Sequence, residues 1–423
     1  MVAVLVGVGL LVGSSLLPRD TVNANIAADA TVLRDETNER VWLGKGYLLD
    51  NNMDALMLNT AVIPAHDAVE AALLASHYAS DGSAPEALVE RVRLGLEPNA
   101  TYERYWHGYT PVLRVAMLVM TYSWWRLINA ALLVGLLLTA VGLAWRNLGI
   151  VPALAVVGVA LLVAPTAIGP SLQYASVAYL ALGGTIAVTL LAPRFEPSTY
   201  DLELFAAIGA LTAYFDLLTA PLLTLSLPLL VLVLAPRGDR LRSALRATAA
   251  WAGAFGAFWA AKWVIGQVLW GGVFADIVYN VGYRTGATGS TATDLSGRWW
   301  SILVNQFYHV PMWLWPADPT PRNATLTLVG LLLVAVAVWV GFALWKGVRP
   351  GAWRHCAPLF VVALAPYAWL FVLSEHSTTH SYMTFRILAV VPVALAIAGW
   401  GSIDWRGTRG GSPTSGGGDH GEA

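Results

Sequence analysis

The sequence predicts an all-α polytopic membrane protein with about ten transmembrane helices, on the strength of three observations. The 423 residues are 57% hydrophobic and only 12% charged, whereas a soluble domain usually carries about 25% charged residues. The apolar residues are gathered in runs of the length that crosses a bilayer. The basic residues fall in alternate connecting segments, as the positive-inside rule requires. With a net charge of −1, nucleic acid is not an expected partner.

The predicted spans follow one another along most of the chain, so residues 1–401 are expected to form a single transmembrane domain. Residues 2–17 are apolar but short, and a first transmembrane helix is favoured over a signal peptide because no convincing cleavage site follows. The tail, residues 402–423, is rich in Gly and Ser and is expected to be disordered. The nine further spans are expected at 128–145, 149–166, 171–192, 203–217, 219–235, 247–270, 325–345, 357–374 and 387–401.

The basic residues of the connecting segments predict one orientation. Ten helices with both termini in the cytoplasm place every basic segment inside. The same count places outside a large first loop, residues 18–112, and a second loop, residues 271–324. The outer side also receives 166–171, 216–220 and 374–386. The inside set comprises Arg146, Arg237, Arg240, Arg242, Arg246, Lys346, Arg349, Arg354, Arg406 and Arg409.

The first outer loop and the residues just after it are predicted to hold short helices. Residues 51–79 and 110–122 mix apolar and polar positions at helical spacing, which is typical of amphipathic helices on a membrane surface. Residues 84–96 form another expected helix, with Pro85 and Glu86 near its start. In the second loop, the Gly/Thr/Ser-rich run 285–296 is expected to be mobile, and the aromatic segment 299–315 is expected to be interfacial or re-entrant.

Two carboxylates early in the first loop are candidates for acid–base chemistry. Asp54 follows Asp50 by four residues, so a helix would present both on one face. A carboxylate near the membrane surface can act as a general base towards a sugar hydroxyl. The structural alternative is that Asp50 caps a helix beginning at Asn51 and that Asp54 is solvated. We favour the cap for Asp50 and catalysis for Asp54.

Cations on or near the predicted outer face are candidates for binding phosphate. Lys262 lies within an apolar span, where it either neutralises a lipid phosphate or snorkels to the interface. Arg386 opens the last span with a planar fork that suits phosphate oxygens. His376 and His380 are four residues apart and could pair on a metal, but phosphate or carbohydrate hydrogen bonding is the better use. Asp216 either binds substrate or caps a short turn.

Taken in order, these features resemble the GT-C class of polytopic glycosyltransferases, in the branch of uncharacterised bacterial membrane proteins. The resemblance rests on a first span that leads into a large outer loop with an early acidic residue, and on a basic and aromatic last outer loop. The strings that carry it are Arg-Tyr-Trp-His-Gly-Tyr (104–109), Tyr-Phe-Asp-Leu-Leu-Thr-Ala-Pro (214–221), Lys-Trp (262–263) and His-Ser-Tyr-Met-Thr-Phe-Arg (380–386).

The resemblance implies an inverting transfer of a sugar from a polyprenyl-phosphate donor to a cell-envelope glycan or lipid acceptor, at the outer face of the bacterial cell membrane. It implies that Asp54 is the base and that Lys262, Arg386, His380 and Arg104 hold the donor phosphate. No cofactor is expected, and a divalent metal is possible but not indicated. The substrate-binding candidates are Asp50, Glu103, Trp106, His107, Tyr109, Asp216, His309, Glu375, His376 and Tyr382.

Two alternatives from other classes remain open. A secondary transporter would use ionisable residues within spans and broken helices, and Lys262, Gly183–Gly184 and Pro228 keep that hypothesis alive. A non-catalytic membrane scaffold would not explain why carboxylates and cations gather on one side. A polymerase or ligase of lipid-linked glycans is a related enzyme that would share the outer site.

Overall fold

The computed structural model of the protein describes residues 2–192, 200–236, 238–287, 295–310 and 320–405. Most of the predicted mobile run 285–296 and nearly all of the tail lie outside the described residues. The described chain is mostly helical, and its first part contains one small hairpin. The elements of this part are α1 (Val2–Ser15), α2 (Arg19–Ala28), α3 (Val32–Asp35), β1 (Glu39–Trp42), β2 (Lys45–Leu48), α4 (Asn51–Ala61), α5 (Ala68–Leu74), α6 (Ala84–Leu94) and α7 (Tyr109–Ala116).

The rest of the chain forms long apolar helices joined by short helices. The last two α-helices are linked by a 3₁₀ segment, Phe385–Ala389. These helices are α8 (Tyr122–Leu148), α9 (Ile150–Leu162), α10 (Pro165–Ile168), α11 (Leu172–Leu191), α12 (Tyr200–Phe215), α13 (Leu222–Leu234), α14 (Arg240–Trp270), α15 (Val273–Arg284), α16 (Leu295–His309), α17 (Pro321–Lys346), α18 (Ala352–Val372), α19 (Ser374–Thr379), α20 (Ser381–Thr384) and α21 (Val390–Ser402).

The lengths and compositions of these helices identify a membrane-embedded protein. Among the described residues, five helices are long and apolar enough to cross a membrane: α8, α11, the apolar part of α17, α18 and the segment Ser381–Ser402. A sixth is possible if α1 and the segment after it count as one span, although the chain bends there by 82°. Each apolar run that the sequence identifies as a span is helical, but α9 and α13 have only 13 residues each.

The centre of the bundle is α13. It is apolar all round and is buried from Leu222 to Val233, as expected for a helix surrounded by other helices. Thr224 is bonded inside the bundle, since its Oγ1 lies 2.7 Å from Thr212 Oγ1 and accepts a 3.2 Å hydrogen bond from Trp251 Nε1, whereas Ser226 Oγ is buried without a partner. By contrast, the apolar window of α17 has no buried residue within the described structure, so α17 lies at the edge of the described bundle.

The first loop folds into a packed body rather than a set of separate surface helices. The expected helices are confirmed, and α6 begins with a capping box between Ser83 and Glu86. Most of α4 is buried, however, and its last carbonyl groups accept hydrogen bonds from two buried arginines. Arg91 donates to Asn59 O, and Arg114 donates to Ala61 O. Cations at the carboxyl end of a helix satisfy both the free carbonyls and the helix dipole.

The hairpin β1–β2 was not predicted from the sequence. It is antiparallel, with Trp42 opposite Lys45, and its two-residue turn consists of Leu43 and Gly44. Both turn residues have positive φ, 50° and 74°, which is the conformation that a tight hairpin turn requires. Leucine rarely adopts it, so the turn lacks the usual Asn-Gly or Asp-Gly signal. The hairpin carries Lys45 to the carboxyl end of α16.

Candidate functional site

Asp50 links the first loop to α20, near the start of the last apolar segment. Its Oδ1 accepts a 2.9 Å hydrogen bond from the backbone N–H of Met53, so the predicted helix cap is confirmed. Its Oδ2 accepts a 2.8 Å hydrogen bond from the hydroxyl group of Tyr382, which is 332 residues further along the chain. The side chain remains half-buried. This contact brings the start of α4 and α20 together, which the sequence alone did not predict.

Asp54 lies one turn further along α4 and is buried, with 2% of its surface exposed. Its two oxygens accept hydrogen bonds from the start of α11, at 2.8 Å from the N–H of Leu172 and 3.0 Å from the N–H of Gln173. Ser171 Oγ and the hydroxyl group of Tyr122 complete the set, at 3.2 and 3.5 Å. The solvated alternative for Asp54 is therefore wrong.

Burial makes the carboxyl group of Asp54 hold its proton more tightly than an exposed aspartate does. Desolvation raises the pKa of the carboxyl group to about 7, and the nearby Asp50 adds to this, although the backbone donors of Gln173 and Leu172 oppose the shift. A carboxyl group with a pKa near the working pH can exchange a proton readily.

Arg386 is the buried cation of the same region, with 2% exposure. Its guanidinium lies 3.8 Å over the ring of Tyr174, and its Nε and Nη1 donate to the carbonyls of Val163 and Tyr382, at 3.2 and 3.1 Å. Its Nη2 is buried without a hydrogen-bond partner. No described carboxylate forms an ion pair with Arg386. We call Asp50, Asp54, Tyr174, Tyr382 and Arg386 the outer cluster.

A chain of histidine and arginine side chains extends the outer cluster. Arg284 Nη1 donates to His376 Nδ1 at 2.6 Å, so the proton of this imidazole is on Nε2, which donates to Leu218 O at 2.9 Å. Burial and the neighbouring Arg284 hold the pKa of His376 well below its usual value. The ring of His380 lies 4.8 Å from that of His376 and 6.2 Å from that of Tyr382.

The described residues contain no group of three or more His, Cys, Asp or Glu side chains arranged to hold a metal ion. His376 is already engaged on both ring nitrogens. Glu375 is buried beside it in α19. These residues are arranged for hydrogen bonding.

The predicted site residues between Glu103 and Tyr109 form a second group. Trp106, His107 and Tyr109 are all nearly completely buried, and each bonds to another part of the protein. Trp106 Nε1 donates to Phe258 O at 2.8 Å, whereas the His107 ring bonds to the Tyr109 hydroxyl and to Tyr102 O. The rings of Trp106, His107 and Tyr109 are therefore packed inside the protein. The ring of Tyr105 lies under Arg284 at 5.7 Å, which connects this group to the outer cluster.

Two predicted phosphate ligands belong to this second group. Lys262 is buried; its ammonium donates to Leu73 O and lies 5.8 Å from the ring centre of Trp106. Arg104 donates to Asn280 Oδ1 at 2.9 Å. No described carboxylate, Glu103 included, forms an ion pair with either cation.

Asp216 and His309 lie at separate places. Asp216 Oδ1 accepts a 3.0 Å hydrogen bond from the N–H of Thr219, which confirms the capped turn, while its Oδ2 is buried without a partner. His309 ends α16 near Lys45, whose ammonium donates to Val310 O at 3.1 Å. Burial and the charge of Lys45 lower the pKa of His309 to about 4.

Two apolar cavities open beside the outer cluster. One, of about 200 Å³, is lined by residues of α8, α9, α10, α11 and α13, including Val163 and Ile168. Its wall therefore includes the residue whose carbonyl accepts the Arg386 bond. The other, of about 350 Å³, lies on the opposite side of the α8–α11 pair and is lined by Leu172 and Tyr109, among others. Both are shaped for hydrocarbon rather than for a polar ligand.

Sequence reasoning missed Arg284 and Tyr174. Arg284 offered a signal, because an arginine in a predicted outer loop departs from the inside bias of basic residues. Tyr174 offered none, since a tyrosine near a helix start is ordinary. Comparison of the chain with protein-family models, with curated proteins and with solved structures yields no match.

Proposed function

We propose that this protein is a membrane glycosyltransferase that moves a sugar from a polyprenyl-phosphate donor to a glycan or lipid acceptor of the cell envelope. In this proposal the chain crosses the cell membrane about ten times, with both termini in the cytoplasm. The outer cluster then faces the extracytoplasmic side, where the donor sugar and the acceptor meet.

The observation that carries the proposal is the buried, unneutralised guanidinium of Arg386 beside an apolar cavity. A buried charge is costly unless an opposite charge compensates it, and among the described residues Arg386 has only carbonyls and the rings of Tyr174 and Phe385. A phosphate on a long hydrocarbon chain would supply the opposite charge for Arg386 and an apolar chain for the cavity. Its oxygens would accept from Nη2 of Arg386, and its chain would follow the cavity wall at Val163 into the bilayer.

Asp50 and Asp54 support the acceptor side of the reaction, where a hydroxyl group must lose its proton. The acceptor hydroxyl oxygen bonds to the anomeric carbon of the donor, and the bond from that carbon to the phosphate oxygen breaks. Polyprenyl phosphate leaves with the bonding electrons, and the hydroxyl proton passes to a carboxylate. We propose the pair Asp50 and Asp54 as this base. Asp54 is the candidate that the sequence favours, whereas Asp50 is the more accessible of the two.

Further polar side chains extend the proposed phosphate site. Arg284 and His380 lie next to the outer cluster and would assist Arg386 in stabilising the leaving phosphate. Arg104 lies over the ring of Tyr102, which contacts the ring of Tyr105 beside Arg284. Arg104 and Lys262 would take up a second anionic part of a substrate.

The test is the cell-surface glycan profile of a deletion strain. The strain is complemented with wild type, Asp50→Asn, Asp54→Asn or Arg386→Gln at matched membrane protein levels. We expect wild type to restore a missing sugar, Arg386→Gln to fail, and at least one carboxylate variant to fail. The carboxylate whose loss abolishes the sugar is the base.

Asp81→Asn, an exposed carboxylate of the same loop, is the matched control and should restore the sugar fully. An unchanged glycan profile in the deletion strain would reject the transferase. Uptake of a solute by vesicles that contain the protein would then favour the secondary transporter.

A further inference from the structure

A basic recess of about 770 Å³ lies at the opposite end of the helices from the outer cluster. It opens where α14 and α18 begin, and α18 leads from it to α19, which holds His376. The 21 residues of α18 correspond to about 30 Å of helix, so the two sites are separated by the thickness of a bilayer core. The residues of the basic recess on which the argument depends are Asp239, Arg240, Arg349, Trp353, Arg354 and His355.

The charge of the basic recess is strongly one-sided. Arg240, Arg349 and Arg354 line it together with His355. Its one lining carboxylate, Asp239, accepts a 3.0 Å hydrogen bond from the N–H of Arg242 and so caps α14. The ion pairs of the described residues all lie between residues 19 and 126. None of these three guanidinium groups forms an ion pair with a described carboxylate.

Backbone groups add to this positive potential. Helix α18 begins after Gly351, which has a φ of 73°, and no side chain caps its amino end. The first N–H groups of a helix carry a partial positive charge and bind anions readily. The N–H groups of Ala352 and Arg354 donate to backbone carbonyls. The positive end of the dipole of this 21-residue helix still points at a recess that holds three arginines.

The surroundings of the basic recess are those of a membrane boundary. Trp353 is 63% exposed, and the guanidinium of Arg354 lies 5.7 Å from its ring centre. Exposed tryptophans and arginines of this kind gather at the level of lipid headgroups. Basic pockets between transmembrane helices bind the phosphates of anionic lipids.

We propose that the basic recess is a binding site for a phosphate group, carried either by an anionic phospholipid headgroup or by a soluble phosphate compound. Guanidinium forks match the oxygens of a phosphate in pairs. The volume lies within the range of ordinary ligand pockets, about 300–1,000 Å³. This site is independent of the proposed sugar transfer, because it lies at the other end of the helices and uses none of the same residues.

The test measures lipid binding by the purified full-length protein in detergent, by native mass spectrometry. Phosphatidylglycerol and the zwitterionic phosphatidylcholine are titrated separately onto wild type, Arg354→Gln and Arg349→Gln/Arg354→Gln. An arginine that faces a bound anionic lipid contributes about fivefold to the binding of that lipid. We expect phosphatidylglycerol to bind about fivefold more weakly to the single variant and about 25-fold more weakly to the double variant, with phosphatidylcholine unchanged.

Arg146→Gln is the matched control, because Arg146 is exposed at the end of α8 but does not line the basic recess. It should bind phosphatidylglycerol as wild type does. Arg354 is exposed and its side chain forms no hydrogen bond with another described residue, so Arg354→Gln should fold normally, as its unfolding temperature in phosphatidylcholine micelles will show.

A parallel titration with inorganic diphosphate identifies the source of the phosphate. Arginine-dependent binding of diphosphate without a preference for phosphatidylglycerol assigns the basic recess to a soluble compound. Arginine-dependent binding of phosphatidylglycerol assigns it to lipid. If neither ligand depends on Arg349 and Arg354, or if Arg146→Gln has the same effect as they do, the proposal is rejected.

Discussion

At the scale of single residues, the outer cluster depends on two charged groups that the fold has removed from water. Asp54 is surrounded by donors from the start of α11, so its carboxyl group also holds α4 against that helix. Arg386 has its ring contact and its carbonyl partners but no carboxylate. Burying either charge costs free energy. Hydrogen bonds to Asp54 offset this cost, whereas no described carboxylate compensates the charge of Arg386.

For Asp54, the raised pKa predicts a dependence of stability on pH. Because burial raises the pKa of this carboxyl group from 3.8 to about 7, the folded state binds its proton more tightly than the unfolded chain does. The stabilising contribution is complete below pH 3.8 and is lost as the pH rises to about 7. In Asp54→Asn this contribution should vanish, so its unfolding temperature should fall less steeply than that of wild type between pH 4 and 7.

Thermal unfolding of the purified protein across this pH range measures the effect. Asp81→Asn serves as the exposed control and should keep the wild-type slope. Parallel curves for wild type and Asp54→Asn would contradict the argument.

For Arg386, the lack of a protein counter-charge predicts a ligand-binding role. Arg386→Gln should weaken the binding of polyprenyl phosphate about 10- to 100-fold, the usual effect of losing a hydrogen bond to a charged group. Arg386→Lys keeps the charge but loses the fork, so it should give an intermediate value. Quenching of tryptophan fluorescence during a titration with polyprenyl phosphate measures both.

The control for this prediction is Arg126→Gln. Arg126 is a partly buried arginine of α8 that already has a carboxylate partner, Glu36, at 3.0 Å. Its loss should lower stability and leave the affinity for polyprenyl phosphate unchanged. Equal loss of affinity in both variants would mean that Arg386 acts through the fold alone.

At the scale of elements, the helices of the bundle approach one another through small residues. The clearest example is the crossing of α12 and α14, where a Cβ atom on Gly209 would overlap the carbonyl oxygen of Trp251. Close backbone contact of this kind is a main source of helix association where no water is present to drive it. Gly209 therefore fixes the distance between α12 and α14.

The crossing predicts that Gly209→Ala destabilises the protein by about 1–3 kcal/mol, the usual cost of overpacking. The backbone oxygen of Trp251 cannot rotate away as a side chain could. Gly253→Ala is the matched control, because nothing lies within 4 Å of the added atom in the same helix α14, and it should be neutral or stabilising. The measurement is the unfolding temperature of each variant in detergent. Equal values for Gly209→Ala and Gly253→Ala would refute the prediction.

At the scale of the whole molecule, charge is divided between the two ends of the helices. The carboxylates and the buried arginine of the outer cluster lie at one end together with the neighbouring His376 and His380, and the exposed arginines of the basic recess lie at the other. Basic residues are retained on the cytoplasmic side of membrane proteins. The division therefore predicts which end faces the cytoplasm.

Labelling of single cysteines tests this orientation in cells. Cys356 is the one cysteine of the chain, so Cys356→Ala provides the background for Asp81→Cys in the first loop and Arg242→Cys at the start of α14. A membrane-impermeant maleimide should label Asp81→Cys in intact cells and Arg242→Cys only after permeabilisation. The reverse pattern would place the outer cluster in the cytoplasm and exclude chemistry on the extracytoplasmic face.

Much of the architecture follows from local sequence patterns. Runs of apolar residues predicted the helices of the bundle, and the cap at Asp50 and the start of α6 were readable from residue types alone. Helix bounds and caps depend on neighbours within about four residues, which is why they could be read directly. The β1–β2 hairpin was missed because Leu43 occupies a turn position that gives no local signal.

The sequence by itself determined that this is a helical membrane protein and which polar residues require an explanation, because composition and periodicity are properties of the chain. Only the tertiary structure decided which of those residues meet. Asp50 and Tyr382 are 332 residues apart, and Arg284 reaches His376 from another helix. It also decided that Asp54 is buried and that Arg386 lacks a carboxylate, because burial and pairing depend on contacts between distant segments that no local pattern encodes.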